Sequence, residues 1–220
     1  MSVSGLFLVL FLLFHMSMNL AAVFSTEAYN AICEFLGANW YALAGTLILA
    51  ASVVVHLVYA TVLTLHNRSS RGSQRYAMTA EPEGVTWASR NMYVLGIIIV
   101  LGLLLHLYNF WYNMQFAEII GNHELGPFPP ADGAAYIAAL FSSPVYCIIY
   151  LVWFAAIWFH LTHGFWSAFH TIGWDNQTWL PRLKRIANVV ATIVFLCFAL
   201  VVIVFYLRSL GVCGGSCAGF

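Results

Sequence analysis

Charge is what this sequence lacks. Lys, Arg, Asp and Glu make up 7% of its 220 residues, and 62% are hydrophobic, whereas an average soluble domain is about 25% charged. So few ionised side chains cannot cover a water-facing surface, and the chain reads as an integral membrane protein. Its eight basic and eight acidic residues cancel, leaving no basic excess to recruit a nucleic acid. No segment alternates apolar and polar residues, and every apolar run is longer than a barrel strand needs, which argues against a β-barrel. No internal repeat is present. The five cysteines, Cys33, Cys147, Cys197, Cys213 and Cys217, are scattered. They lack zinc spacing, and no pair precedes a histidine in the pattern of covalent haem attachment. Cys213 and Cys217 suit either a disulfide in an oxidising compartment or two free thiols. No basic residue precedes the first apolar run, which continues through His15 to Phe24. A retained first helix is expected rather than a cleaved signal peptide.

What is present is a set of five apolar segments: about Gly5 to Phe24, Tyr41 to Leu65, Ser89 to Tyr112, Tyr136 to Phe169 and Ile186 to Leu207. Each is long enough to cross a bilayer, which takes about 20 residues. The fold class expected is an all-α integral membrane bundle of five transmembrane helices, a single domain over residues 1–220. The fourth segment exceeds one span and is expected to tilt or protrude. Arg68, Arg71, Arg75 and Arg90 fall between the second and third segments, and Arg182, Lys184 and Arg185 between the fourth and fifth. The positive-inside rule makes these loops cytoplasmic, with the N-terminus cytoplasmic and the C-terminus periplasmic. The other two loops carry Glu27, Glu34, Glu118, Glu124 and Asp132 and are expected outside. Tyr29, Ile32, Cys33 and Leu36 recur at helical spacing, which predicts a short interfacial helix in the first external loop. The second, rich in Gly and Pro from Gly121 to Gly133, reads as irregular. The loop from Asn67 to Trp87 is long and basic enough to dock a soluble partner.

Four histidines lie well inside the first four apolar segments: His15, His56, His106 and His160. An ionisable side chain there is costly and marks a functional site. Counting about 1.5 Å per residue places His56 and His160 roughly 16 to 20 Å from the cytoplasmic helix ends. His15 and His106 lie roughly 15 to 18 Å from the external ends. Two imidazoles at matched depth on facing helices can hold a haem iron from both sides, leaving no open position, which suits electron transfer. Helix-to-helix hydrogen bonding is the competing reading for any one of them. Gly45, Gly96, Gly102 and Gly164 can admit a flat macrocycle or serve ordinary close packing. His163, with Arg90, Trp166 and Ser167, is a candidate for contact with haem propionates near the cytoplasmic side, whereas His170, seven residues on, is expected to anchor the helix at the interface.

The stretches Gly5-Leu6-Phe7 through His15 and Asn19, Glu27-Ala28-Tyr29-Asn30, His56-Leu57-Val58-Tyr59, Ser89-Arg90-Asn91-Met92, His106 through Trp111 and His160 through Trp174 together resemble one family over nearly the whole chain. It is the cytochrome b membrane-anchor subunit of succinate dehydrogenases and fumarate reductases, of the five-helix, two-haem, Bacteroidetes-like kind. The resemblance implies two haem b groups, with His15 and His106 ligating the distal iron and His56 and His160 the proximal one. It also implies a FAD-containing flavoprotein subunit and an iron–sulfur subunit on the cytoplasmic face of a bacterial inner membrane. Menaquinone would react near the distal haem, with Glu27 and Glu34 as candidates for proton exchange. Two departures stand out. Met1 to Ser4 lead straight into the first helix, where relatives usually carry a basic stretch, which points to a truncated or misassigned start. Trp158 stands where some fumarate reductases carry an intramembrane Glu two residues before the fourth-helix ligand, so a proton route there is not expected. The alternatives left open are a cytochrome b subunit of a hydrogenase or formate dehydrogenase, a transporter's metal or proton path, and a purely structural anchor.

Overall fold

A computed structural model describes residues 1–70, 86–174 and 176–212. Cys213, Cys217 and most of the basic loop, with Arg71 and Arg75, lie outside the described residues. No strand occurs among the described residues, and five helices are long and apolar enough to cross a membrane. The chain is a multi-pass membrane protein.

Helix α1 (Ser2–Phe24) ends at Ser25, whose backbone turns extended. The same residue caps α2 (Thr26–Ala38), its hydroxyl accepting the Ala28 N–H at 3.1 Å. One serine therefore closes a spanning helix and opens the short helix expected after it. Helix α3 (Trp40–Ser70) is followed, past the undescribed loop, by the single turn α4 (Trp87–Arg90). Thr86 and Ser89 cap that turn reciprocally, each side chain bonding the other's backbone N–H. The third span runs from Met92 to Ile120. It consists of α5 (Met92–His106), a wider π-helical stretch Leu107–Phe116 and α6 (Ala117–Ile120). Gly121 stops it in the left-handed region, at φ 66°.

The fourth apolar segment is not one long tilted helix. It divides into α7 (Gly133–Phe141) and α8 (Pro144–Thr171). Pro144 has no N–H to donate and bars the helical conformation from the residue before it; Ser143 is accordingly extended, at φ −89° and ψ 120°. Gly133, expected in the irregular loop, begins α7. Helix α9 (Trp179–Ser209) starts seven residues before the apolar run and takes Arg182, Lys184 and Arg185 into its first turns. Those three were expected in a loop, but long basic side chains are good helix formers and reach polar surroundings from inside a helix.

The core lies between α8 and α9. Ala187, Ala191, Val194, Phe198, Val202 and Phe205 are buried at three- and four-residue intervals along α9. Opposite them lie Cys147, Tyr150, Phe154 and Leu161 of α8. Ala187 and Ala191 let the two backbones approach, which is how helices associate in lipid without a hydrophobic drive. By contrast, α3 buries no residue. It packs against α1 and α2 and only sparsely against α5.

The spanning helices other than α9 form a ring in the order α1, α3, α5, α8, each packed against the next and α8 against α1. The two diagonals, α1 to α5 and α3 to α8, are not closely packed. At the end bearing α2, Arg208 of α9 donates to the carbonyls of Val23 at 2.8 Å and Ala22 at 3.5 Å. Its guanidinium also lies over the Phe205 ring. A cation on the last carbonyls of α1 satisfies groups that a helix end leaves unpaired. Arg208→Ala is expected to lower stability by about 1–2 kcal/mol, read as a lower melting temperature in lipid nanodiscs. An unchanged melting temperature would show that water replaces the guanidinium at no cost.

Candidate functional site

The two diagonals of the ring are where the histidines meet. His15 of α1 faces His106 of α5 with ring centroids 5.7 Å apart and planes at 85°. His56 of α3 faces His160 of α8 at 6.4 Å and 66°. Helices whose backbones stand apart are thus bridged by imidazole pairs across the bundle interior. Two imidazoles bound to one metal ion from opposite sides, with metal–nitrogen bonds of about 2 Å, have centroids about 6 Å apart. Both pairs sit at that separation. The pairs occupy different depths, because His56 lies against the start of α1 and His15 follows ten residues after Gly5. A Cβ on Gly5 would lie 3.4 Å from His56 Cε1, and Ser4 Oγ is 3.4 Å from His56 Nδ1. Ten residues of helix span about 15 Å.

The donor chemistry of these pairs fits haem. Among the described residues no group of three or more His, Cys, Asp and Glu side chains converges. Two nitrogens fall short of the four ligands a bare zinc ion takes, whereas a haem iron, already held by its porphyrin, would need only two more from the protein. His160 Nδ1 is buried with no hydrogen-bond partner, and a buried polar atom without a partner calls for one.

Aromatic rings wall the His15–His106 pair from lipid. Phe11 stacks on His15 at 5.4 Å, and Phe198 lies 6.0 Å from it. Phe110, Tyr150 and Trp153 surround His106. Of the glycines proposed to admit a macrocycle, Gly102 instead admits Trp153. A Cβ there would collide with the indole, whose Nε1 donates to the Ile99 carbonyl at 3.1 Å. Gly45 and Gly96 border open space, and Gly164 only ordinary contacts with Met92 and His160.

Beyond His160, toward the α4 end, His163 meets Trp166 edge-on at 5.0 Å, and the Lys184 ammonium lies 4.6 Å from the Trp166 ring centroid. His163 Nδ1 is also buried without a partner. This assembly of imidazole, indole and ammonium suits a carboxylate such as a propionate. Lys184 was missed from sequence because its place in the first turns of α9 looked like a loop. Arg90 is exposed on α4, which packs against α8. Ser167 offers its carbonyl to the Thr171 hydroxyl. Trp158 is turned away from the histidines toward α9, its indole N–H donating to Thr192 Oγ1 at 3.1 Å.

At the other end, Glu27 and Glu34 share an open cleft with Asn30, Pro129 and Asp132. Among the described residues no hydrogen bond joins either glutamate to a histidine. The connection runs along the opposite side of α2 instead. The Tyr29 hydroxyl donates to Asn19 Oδ1 at 3.2 Å, and Asn19 Nδ2 stands 3.3 Å from His15 Nε2. Sequence reasoning assigned neither residue a role, although Asn19 follows His15 by one helical turn. Cys33 lies beside Tyr29 under Gly133, where a Cβ would come within 2.5 Å of its sulfur. Burial pushes the Cys33 thiol up to about 11 and the Tyr29 phenol well above its usual value. A folded-state value raised in this way means that the unfolded chain releases the proton first, so stability falls as pH rises toward 11. At pH 8 only about one Cys33 thiol in a thousand is thiolate. With the other four cysteines replaced by alanine, maleimide labelling of Cys33 is expected to rise about tenfold per pH unit between pH 8 and 10. A rate already levelling off near pH 9 would show an exposed thiol.

No protein-family model matches this sequence, and neither a curated protein nor a solved structure matches it.

Proposed function

We propose that the chain is the dihaem cytochrome b membrane anchor of a succinate:quinone oxidoreductase, a succinate dehydrogenase or fumarate reductase, in a bacterial inner membrane. The observation that carries this reading is the pair of imidazole contacts across both diagonals of the four-helix ring, at 5.7 and 6.4 Å. His15 and His106 would hold the haem farther from the cytoplasm, and His56 and His160 the nearer one. A haem iron held by two imidazoles supplies one-electron transfer and keeps no position for oxygen. The protein's part is to fix the imidazoles and exclude water. Around His15 and His106, packed Tyr150, Trp153, Phe154 and Phe198 serve both ends.

Orientation follows from charge. Arg68, Arg90, Arg182, Lys184 and Arg185 gather at the end where α1 begins, which makes that end cytoplasmic and the site for the iron–sulfur and flavoprotein subunits. Helix α9 then finishes on the periplasmic side. There the cleft of Glu27 and Glu34 opens at the same end as the His15–His106 pair, which supports menaquinone reacting at that end. Carboxylates in contact with external water can take up or release the protons that accompany quinone chemistry.

The test is direct. Purified from haem-replete cells, the chain should show a reduced-minus-oxidised spectrum of b-type haem at two haems per chain and should co-purify with a flavoprotein. A blank spectrum sinks the proposal, and a full spectrum with a hydrogenase or formate dehydrogenase partner replaces the succinate reading.

A further inference from the structure

Of the two rings in the His15–His106 pair, His15 has a side-chain hydrogen-bonding partner. Among the described residues no hydrogen bond reaches the His106 ring. Asn19, in contrast, touches His15 twice. Its amide nitrogen donates to the His15 carbonyl at 2.8 Å and lies 3.3 Å from His15 Nε2. A carbonyl oxygen can only accept, so the end of the amide next to the ring is its NH2 end. The other end accepts from the Tyr29 hydroxyl at 3.2 Å, while the acceptor-only His15 carbonyl fixes the amide against a flip. With a donor facing Nε2, that nitrogen must present its lone pair, and the ring proton is left on Nδ1.

Tyr29 is itself held. It is buried on α2, and its neighbour Asn30 ties that helix to α7 by donating to Asp132 at 2.8 Å and accepting from the Ala134 N–H at 2.9 Å. The hydrogen-bonded line therefore begins in the structure outside the spans and ends on one candidate iron ligand. Partners of this kind orient a metal-binding histidine, and their loss commonly costs 10- to 100-fold in affinity.

Resting on the proposed function, we infer that Asn19 and Tyr29 are positioning residues for the outer redox centre: they select the Nδ1–H tautomer of His15, present Nε2 for coordination, and couple that ring to helix α2. One lone pair serves one partner, so the amide selects the tautomer before loading. Its bonds to the His15 carbonyl and to Tyr29 keep the N–H dipole beside the ring afterwards. The positive end of that dipole disfavours the ferric state, so removing it lowers the reduction potential.

Two measurements on the full chain test this. In haem-free protein in lipid bilayers, nitrogen-15 spectra of labelled histidine should show His15 protonated on Nδ1, and Asn19→Leu should give a mixture of tautomers. In the assembled complex, redox titration should show the outer haem of Asn19→Leu shifted by about tenfold in its ferric-to-ferrous equilibrium, about 59 mV lower, with the inner haem unmoved. Tyr29→Phe deletes one oxygen and should shift the outer haem the same way by less. The double variant should move no further than Asn19→Leu alone. Should Asn19→Leu fail to assemble, Tyr29→Phe carries the test. His15 protonated on Nε2, an unmoved outer potential in Tyr29→Phe, or equal shifts in both haems would overturn the inference. Absence of haem from the native complex would instead overturn the proposed function, while the tautomer measurement would still judge the Asn19 contact.

Discussion

On the proposed function, His160→Leu should leave one haem b per chain where the native protein should carry two, and His56→Leu should leave the same one. Both imidazoles of a pair would serve a single iron, so removing either should already release it, and the second removal should add nothing. The double variant His56→Leu with His160→Leu should keep one haem, whereas His15→Leu with His160→Leu should keep none. Leucine is the informative replacement because it fills the space with apolar volume and removes a polar group that is costly in the bilayer interior. The helices should still assemble, since the α8–α9 contact rests on Ala191, Val194 and Phe198 against Tyr150 and Phe154, none of which is a histidine. Haem counted per chain, with the two centres told apart by redox titration, reads the result. If His56→Leu and His160→Leu remove different haems, the diagonal pairing is wrong. If every variant keeps two, the histidines are packing groups.

Depth was legible in the sequence; lateral arrangement was not. Counting residues to the nearest loop placed His15 level with His106 and His56 level with His160, because helical rise is uniform and the apolar segments end where water begins. Nothing in that count says which helices are neighbours. That α1 and α5, and α3 and α8, face each other across a ring depends on side-chain shape along all four helices, and no periodicity encodes it. Boundaries failed in a systematic way. The polarity of Lys184 and Arg185 reads as the end of a helix, yet α9 continues through them at the interface. The break at Ser142 to Pro144 was signalled by the proline but outweighed by the apolar run around it. The wide turn from Leu107 to Phe116, which begins directly after His106, has no sequence signature. It leaves Asn113 Nδ2 bonded to the Tyr108 carbonyl five residues back. Such turns occur often at functional sites. The contact from Asn19 to His15 lies within one turn of α1, but that from Tyr29 to Asn19 needs the Ser25 turn to fold α2 back over α1.

Gly102→Ala, the addition of one methyl group, is expected to cost about 1–3 kcal/mol and to reduce the outer haem while sparing the inner one. A Cβ at this position would occupy the space of the Trp153 indole. The indole cannot swing clear at low cost. Its N–H is committed to the Ile99 carbonyl, and its ring lies among Tyr150, Phe154 and His106. Moving it leaves a backbone carbonyl without that donor and presses on the ring that holds His106. The alternative is for α5 and α8 to part, which carries His106 away from His15 on the diagonal. Either response acts on the 5.7 Å contact before it acts on the 6.4 Å one. His56 stands on α3, and the nearest glycine to His160, Gly164, has room to spare. Gly96→Ala is the control, because a Cβ there meets nothing within 4 Å; it should keep both haems and, by helix propensity, gain up to about 1 kcal/mol. Trp153→Phe in the Gly102→Ala background removes part of the collision and should recover haem. Equal behaviour of Gly102→Ala and Gly96→Ala would mean that Trp153 is free to move and does not wedge His106 in place.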